Sequence, residues 1–145
     1  MTQRARASRA RPAAVPSVAA LLAKARPFIN WLPVLAWAGL IFWLSSRPAL
    51  PAPHIPYVDK GEHGVFYAAL AWLLARAWFP SRRLRRRRAS VRWGLVVLAC
   101  LFYGISDEAH QAFVPGRSCD PADAAADAAG PALLAVVASK MRLRP

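Results

Sequence analysis

Acidic side chains and cysteines are both scarce in this sequence. Only seven of its 145 residues are Asp or Glu, against 20 Lys and Arg. No acid occurs in residues 1–26, and residues 28–46 carry no charge at all. The two cysteines, Cys100 and Cys119, fall in an apolar segment and a polar loop respectively, so a disulfide-stapled scaffold is not expected.

The composition is too apolar for a typical soluble domain of this length. Hydrophobic residues make up 57% of the chain, and the mean hydropathy is +0.25. These values favour a single domain embedded in a membrane. We therefore predict an all-α, up-down bundle of four transmembrane helices at about 28–46, 61–79, 91–107 and 121–139.

The predicted membrane domain covers residues 27–140, between a basic arm (1–26) and a short basic tail (141–145). A cleaved signal peptide is the alternative for the arm, but Pro16 interrupts its apolar part and more positive charge follows. The last two apolar cores, 93–106 and 128–139, are short for a bilayer core of about 30 Å. Their neighbours Asp107 and Asp127 are therefore expected to lie within the outer leaflet.

The distribution of charge predicts the orientation of the bundle. With four crossings, 17 of the 20 Lys and Arg residues fall on one side, and all seven acids and three histidines fall on the other. The positive-inside rule places both termini in the cytoplasm and the acids outside the plasma membrane of a bacterium. The arginine-rich segment 80–92 is then a membrane-surface loop, and nucleic acid is not expected as a partner.

Polar residues at helical spacing predict a shared site on the outer side. Asp59 and His63 are four residues apart, and the acids at 120, 123 and 127 are separated by three and four residues, which puts each set on one helix face. Asp59 also suits a plain helix cap, and Arg117 with Asp123 suits a structural ion pair. The candidate site comprises Asp59, Lys60, His63, Asp107, Glu108, His110, Gln111, Arg117, Asp123 and Asp127.

Half of the chain resembles the VanZ-like family of small membrane proteins. The pattern lies in residues 59–130 and includes the FVPGR block at 113–117, followed by spaced acids. The resemblance implies a bacterial four-helix membrane protein, related to one that gives low-level teicoplanin resistance through an action on the envelope. Asp127 stands where the family usually has Asn, which adds a negative charge to the site.

Three classes of function fit these features. The first is a protein that engages a lipid headgroup, a cell-wall precursor or a glycopeptide at the outward site. This protein could also be an enzyme that uses paired carboxylates and histidines as acid and base, although the sequence identifies no nucleophile. The second is a structural or partner-binding subunit whose polar groups neutralise each other. A proton or ion pathway is disfavoured, because the inner halves of the helices lack polar groups. No cofactor is predicted. A metal held by the histidines with Asp107, Glu108 or Asp123 is chemically allowed. The spacing of these residues matches no standard zinc motif, however, so no metal is predicted either.

Overall fold

The described part of the protein is entirely helical, which confirms the predicted fold class at that level. The computed structural model describes residues 17–19, 28–48, 58–117, 119–143 and 145. It contains α1 (Leu32–Ser45), α2 (Val58–Trp78), a short α3 (Arg82–Arg85), α4 (Ala89–Gln111) and α5 (Pro121–Lys140), and no strand within these ranges. Most of the predicted basic arm lies outside the described residues.

The four longer helices alternate in direction. The end of α1 meets the end of α4, where the Ser45 hydroxyl donates to Asp107, and the start of α2 meets the start of α5, where Lys60 pairs with Asp120. We call this the acidic end. At the opposite end Phe79 and Trp93 pack edge to face, among the arginines of α3 and the start of α4. We call this the basic end.

Helices α2 and α5 form the tightest pair in the bundle. A side chain on Gly130 of α5 would collide with the backbone of Gly64 on α2, so the two helices approach closely only because Gly130 has none. The sequence predicts a kink or break at Gly130-Pro131, and the helix is not broken there, since α5 continues through both residues. Helix α5 packs against both α2 and α4.

The structure also moves several predicted helix boundaries. Helix α4 extends to Gln111 rather than ending at residue 107, which places Glu108 and Gln111 on the helix and buries both. The short helix α3 within the basic loop was not predicted. Among the described residues two helices, α4 and α5, are by length and composition long and apolar enough to cross a membrane, while α1 is apolar but has only 14 residues.

Candidate functional site

Polar side chains of three helices meet at the acidic end. Lys60 on α2 donates to Asp120 at 2.7 Å and to Asp123 at 2.6 Å, both at the start of α5. Asp120 caps α5, since its other oxygen accepts from the Ala122 N–H at 2.8 Å. The hydrogen bond from Lys60 has the larger effect and the one from Ala122 the smaller; both lower the pKa of the Asp120 carboxyl and keep it ionised. We call the whole group the three-helix cluster: Lys60, His63, Glu108, Asp120, Asp123 and Asp127.

The deepest pair in this cluster is His63 with Asp127. The Nδ1 atom of His63 lies 2.9 Å from Oδ1 of Asp127, whose side chain is completely buried. Gly104 on α4 makes room for this carboxylate, because a Cβ at that position would lie 2.7 Å from Oδ2 of Asp127. Because Gly104 of α4 has no side chain, the carboxylate of Asp127 on α5 can lie between the two helices.

Glu108 connects α4 to the start of α5. Its Oε2 atom accepts from the main-chain N–H of Asp120 at 2.9 Å, and its Oε1 atom accepts from the Gln111 amide at 3.3 Å. The Glu108 side chain is buried. Its two oxygens are therefore held by two N–H donors from neighbouring parts of the chain.

A second polar group joins α1 to α4. The Ser45 hydroxyl donates to Oδ1 of Asp107 at 2.6 Å, and Ser46 Oγ lies 3.0 Å from Nε2 of His110. Gln111 lies between the two groups, since its amide also reaches Oδ2 of Asp107 at 3.4 Å. We call this group the α1–α4 cluster. It places Asp107 and His110 beside α1, so the predicted outward site is divided into two adjoining parts.

Arg117 does not contact Asp123, the partner that the sequence suggests. Its guanidinium donates to the main-chain carbonyls of Arg47 at 3.2 Å and Leu44 at 3.4 Å, and Asp123 pairs with Lys60 instead. The predicted Arg117–Asp123 ion pair is therefore wrong for the described structure. The last carbonyls of a helix lack intrahelical donors and carry partial negative charge, so the end of α1 attracts the guanidinium.

Two buried polar atoms near the cluster have no hydrogen-bond partner among the described residues. One is Oδ2 of Asp127 and the other is the hydroxyl of Tyr67, one turn along α2 from His63. One ligand atom each from His63, Glu108 and Asp127 lies within 4.8 Å of the others, so this part of the cluster has the donors for a cation.

The structure brings together most of the predicted site residues and adds some. Lys60, His63, Glu108, Asp123 and Asp127 meet in the three-helix cluster, and Asp107, His110 and Gln111 lie in the adjoining one. The side chain of Asp59 lies outside the described residues. The candidate list did not include Asp120, although the spacing of the acids places it on the same helix face as Asp123 and Asp127. It also omitted Ser45, Ser46 and Tyr67, for which the sequence carries no signal.

These observations define an all-helical protein whose apolar helices enclose a buried polar centre at one end. The chain belongs to the VanZ/LLP1 family, whose model matches residues 21–142. This confirms the resemblance noted from the sequence and extends it over most of the chain. The chain matches no curated protein and no solved structure.

Proposed function

We propose that the protein crosses the plasma membrane of a bacterium four times and engages the headgroup of an envelope lipid or lipid-linked cell-wall intermediate at its outward, acidic end. Helices α2, α4 and α5 contain 21, 23 and 20 residues, which corresponds to about 30 Å or more at about 1.5 Å per residue. Helix α1, with 14 residues, covers about 21 Å. The helical residues 28–29 just before α1 lengthen this segment.

The outer surfaces of the helices support a lipid environment. Large apolar side chains are at least half exposed on every long helix, including Leu35 on α1, Val65 on α2, Phe102 on α4 and Leu133 on α5. Exposed apolar surface of this extent on all sides is unusual for a soluble monomer. In a bilayer the same side chains would contact acyl chains.

The charge of the two ends supports the orientation. The basic end carries the arginines of α3 and the residues around it, and Lys140 and Arg142 follow at the end of α5. Positive charge of this density is typical of cytoplasmic loops. The acidic end and its two polar clusters would then face the periplasm or the cell exterior.

The observation that carries the functional proposal is an apolar groove that ends at the polar cluster. It has a volume of about 510 Å³ and runs between α2 and α5, with Lys60 and Gly61 at one end and Leu134 and Val137 towards the other. Its lining is apolar apart from Lys60 at one end, which suits a hydrocarbon chain whose headgroup lies beside the cluster. We assign one chain of an envelope lipid as its occupant.

The charge of the cluster favours a headgroup rich in hydroxyl groups, such as a sugar. Lys60 is already shared by two carboxylates, and Arg117 is held by carbonyls of α1, so neither offers a strong site for phosphate. Asp120 and Asp123 are the carboxylates of the cluster with exposed side-chain surface, and their remaining lone pairs can accept from hydroxyl donors. A sugar-bearing, lipid-linked intermediate of the cell wall has both of the required parts.

Filling the groove should remove the bound lipid. Ala129 is exposed and lines the groove, whereas Ala132, also exposed on α5, does not. We expect Ala129→Phe to lower the amount of lipid that copurifies with the protein in mild detergent at least about tenfold, since one well-filled apolar site contributes on the order of 1.5–3 kcal/mol. Mass spectrometry of the extracted lipid, normalised to protein, measures this and identifies the headgroup.

Ala132→Phe is the matched control and should retain as much lipid as the unmodified protein. Equal lipid content in the two variants would contradict the assigned occupant. A structural subunit with a self-neutralising polar cap is the second candidate, favoured by the mutual pairing of Lys60 with Asp120 and Asp123. It predicts no lipid specific to the groove in any of the three proteins.

A further inference from the structure

One imidazole and two carboxylates from three different helices converge inside the three-helix cluster. His63 comes from α2, Glu108 from α4 and Asp127 from α5. We propose that these three side chains bind one divalent transition-metal ion, with zinc as the best-fitting ion. Metal binding at these three side chains does not depend on whether a lipid occupies the groove.

The distances are close to those of a metal site. One ligand atom from each residue lies within 4.8 Å of the others, and His63 and Asp127 already approach to 2.9 Å. Ligand atoms around a tetrahedral zinc ion are about 3.4 Å apart, given bonds of about 2.0–2.2 Å. Small side-chain rotations would bring the third ligand, Glu108, into this range.

The unpartnered oxygen of Asp127 is independent support. Its Oδ2 atom is buried and has no hydrogen-bond partner in the described part of the chain. A buried carboxylate oxygen without a partner is costly, and native proteins generally provide one. Gly104 leaves space for this carboxylate, so the fold both admits the acid and leaves one of its oxygens available.

The balance of charge also favours a cation. Lys60 is opposed by Asp120 and Asp123, and Arg117 is directed towards α1. A neutral His63 with ionised Glu108 and Asp127 carries two negative charges, which a divalent ion would neutralise. Buried charges are stable when they are paired or coordinate a metal.

Hydrogen bonds around the ligands hold the proposed site in place. The N–H of Asp120 and the amide of Gln111 fix the two oxygens of Glu108, as outer-shell donors do in known metal sites. A set of one nitrogen and two oxygens suits zinc, and three protein ligands leave a position for an oxygen of water or of a bound molecule. An open position of this kind is typical of catalytic rather than structural zinc sites.

Metal content and metal-dependent stability of the full-length protein test this proposal. The protein would carry Cys119→Ser, because this exposed thiol is an alternative zinc ligand, and a purification tag without histidine. We expect one zinc ion per chain by elemental mass spectrometry. After chelation, added zinc should raise the thermal unfolding midpoint in detergent.

Two isosteric variants should lose the ion while one control keeps it. Glu108→Gln and Asp127→Asn each replace a ligand oxygen anion with a neutral amide, and we expect zinc affinity to fall by more than about 100-fold. Asp120→Asn removes a charge from the same cluster but preserves the helix cap, so zinc binding should be retained. Helical circular dichroism verifies the fold of each variant.

The proposal is overturned by either of two results. One is unmodified protein that neither contains zinc nor gains thermal stability from it. The other is equal zinc affinity in the unmodified protein and in folded Glu108→Gln and Asp127→Asn. Lipid content is measured separately, so failure of the metal site is distinguishable from failure of the lipid proposal.

Discussion

Replacing Gly130 with Ala is expected to prevent α2 and α5 from packing together. The new Cβ would collide with the carbonyl group of Gly64, which belongs to the backbone of a helix and cannot rotate away as a side chain would. Overpacking of a core costs about 1–3 kcal/mol when side chains adjust. We expect about 3 kcal/mol or more here, because the two helices must separate along their contact.

Gly64→Ala is the matched control, since it adds the same methyl group on the other side of the same contact. The nearest atom to a Cβ at Gly64 is the carbonyl oxygen of Ala126, at an ordinary 3.8 Å. This variant should be as stable as the unmodified protein, or up to about 1 kcal/mol more stable because alanine favours a helix. Unfolding in mixed detergent micelles, followed by circular dichroism, measures both; equal stability of the two variants would refute the close approach.

Replacing His63 with Ala is expected to be nearly as damaging. Asp127 is completely buried, and His63 Nδ1 is the hydrogen-bond partner of its Oδ1 atom. Without His63 the buried carboxylate loses this hydrogen bond, which typically costs about 1–3 kcal/mol and more when the group is charged. The same unfolding measurement should show a loss of this size for His63→Ala.

A second substitution should relieve much of that loss. In the double variant His63→Ala with Asp127→Asn the buried group is a neutral amide of the same shape, so the carboxylate no longer has to be compensated. We expect the effects of the two single substitutions to be clearly non-additive, with a coupling of about 1–3 kcal/mol. Strictly additive effects would mean that His63 and Asp127 do not interact.

The all-helical architecture follows from the sequence because long apolar segments leave few alternatives. Residues 28–46 contain no charge, and the basic and acidic residues fall between segments in a regular order. The ends of the helices were harder to predict. Helix α4 runs to Gln111, and a hydropathy pattern reads both Glu108 and Gln111 as polar although both are buried. Glu108 accepts from the N–H of Asp120 at the start of α5, a contact that the local sequence does not contain.

The composition of the site was predictable, but its pairing was not. Helical spacing predicted that His63 lies on one face of α2 and that Asp123 and Asp127 lie on one face of α5. It could not show that Asp123 would pair with Lys60 rather than with Arg117. That choice depends on the end of α1, where the carbonyls of Leu44 and Arg47 accept from the guanidinium. The space for the Asp127 carboxylate depends on Gly104, which lies on a different helix. The sequence around Asp127 therefore does not show that this space exists.

The proximity of His63, Glu108 and Asp127 illustrates the same limit. Zinc motifs are recognised from short spacings between ligands on one or two elements. Here the three side chains lie on three helices, and only the packing of α2 and α4 against α5 brings them together. No pattern in the linear sequence contains this information.

Chemical labelling of cysteines in intact cells tests the central claim, that the acidic end faces outward from a four-crossing bundle. Cys119 is exposed at the acidic end and Cys100 is buried, so Cys119 is the native target for a maleimide that cannot cross membranes. For comparison, Arg87→Cys places a thiol at an exposed position of the basic end in a Cys119→Ser background. We predict labelling of Cys119 from outside and of residue 87 only after the cells are permeabilised; the opposite pattern would contradict the proposed orientation.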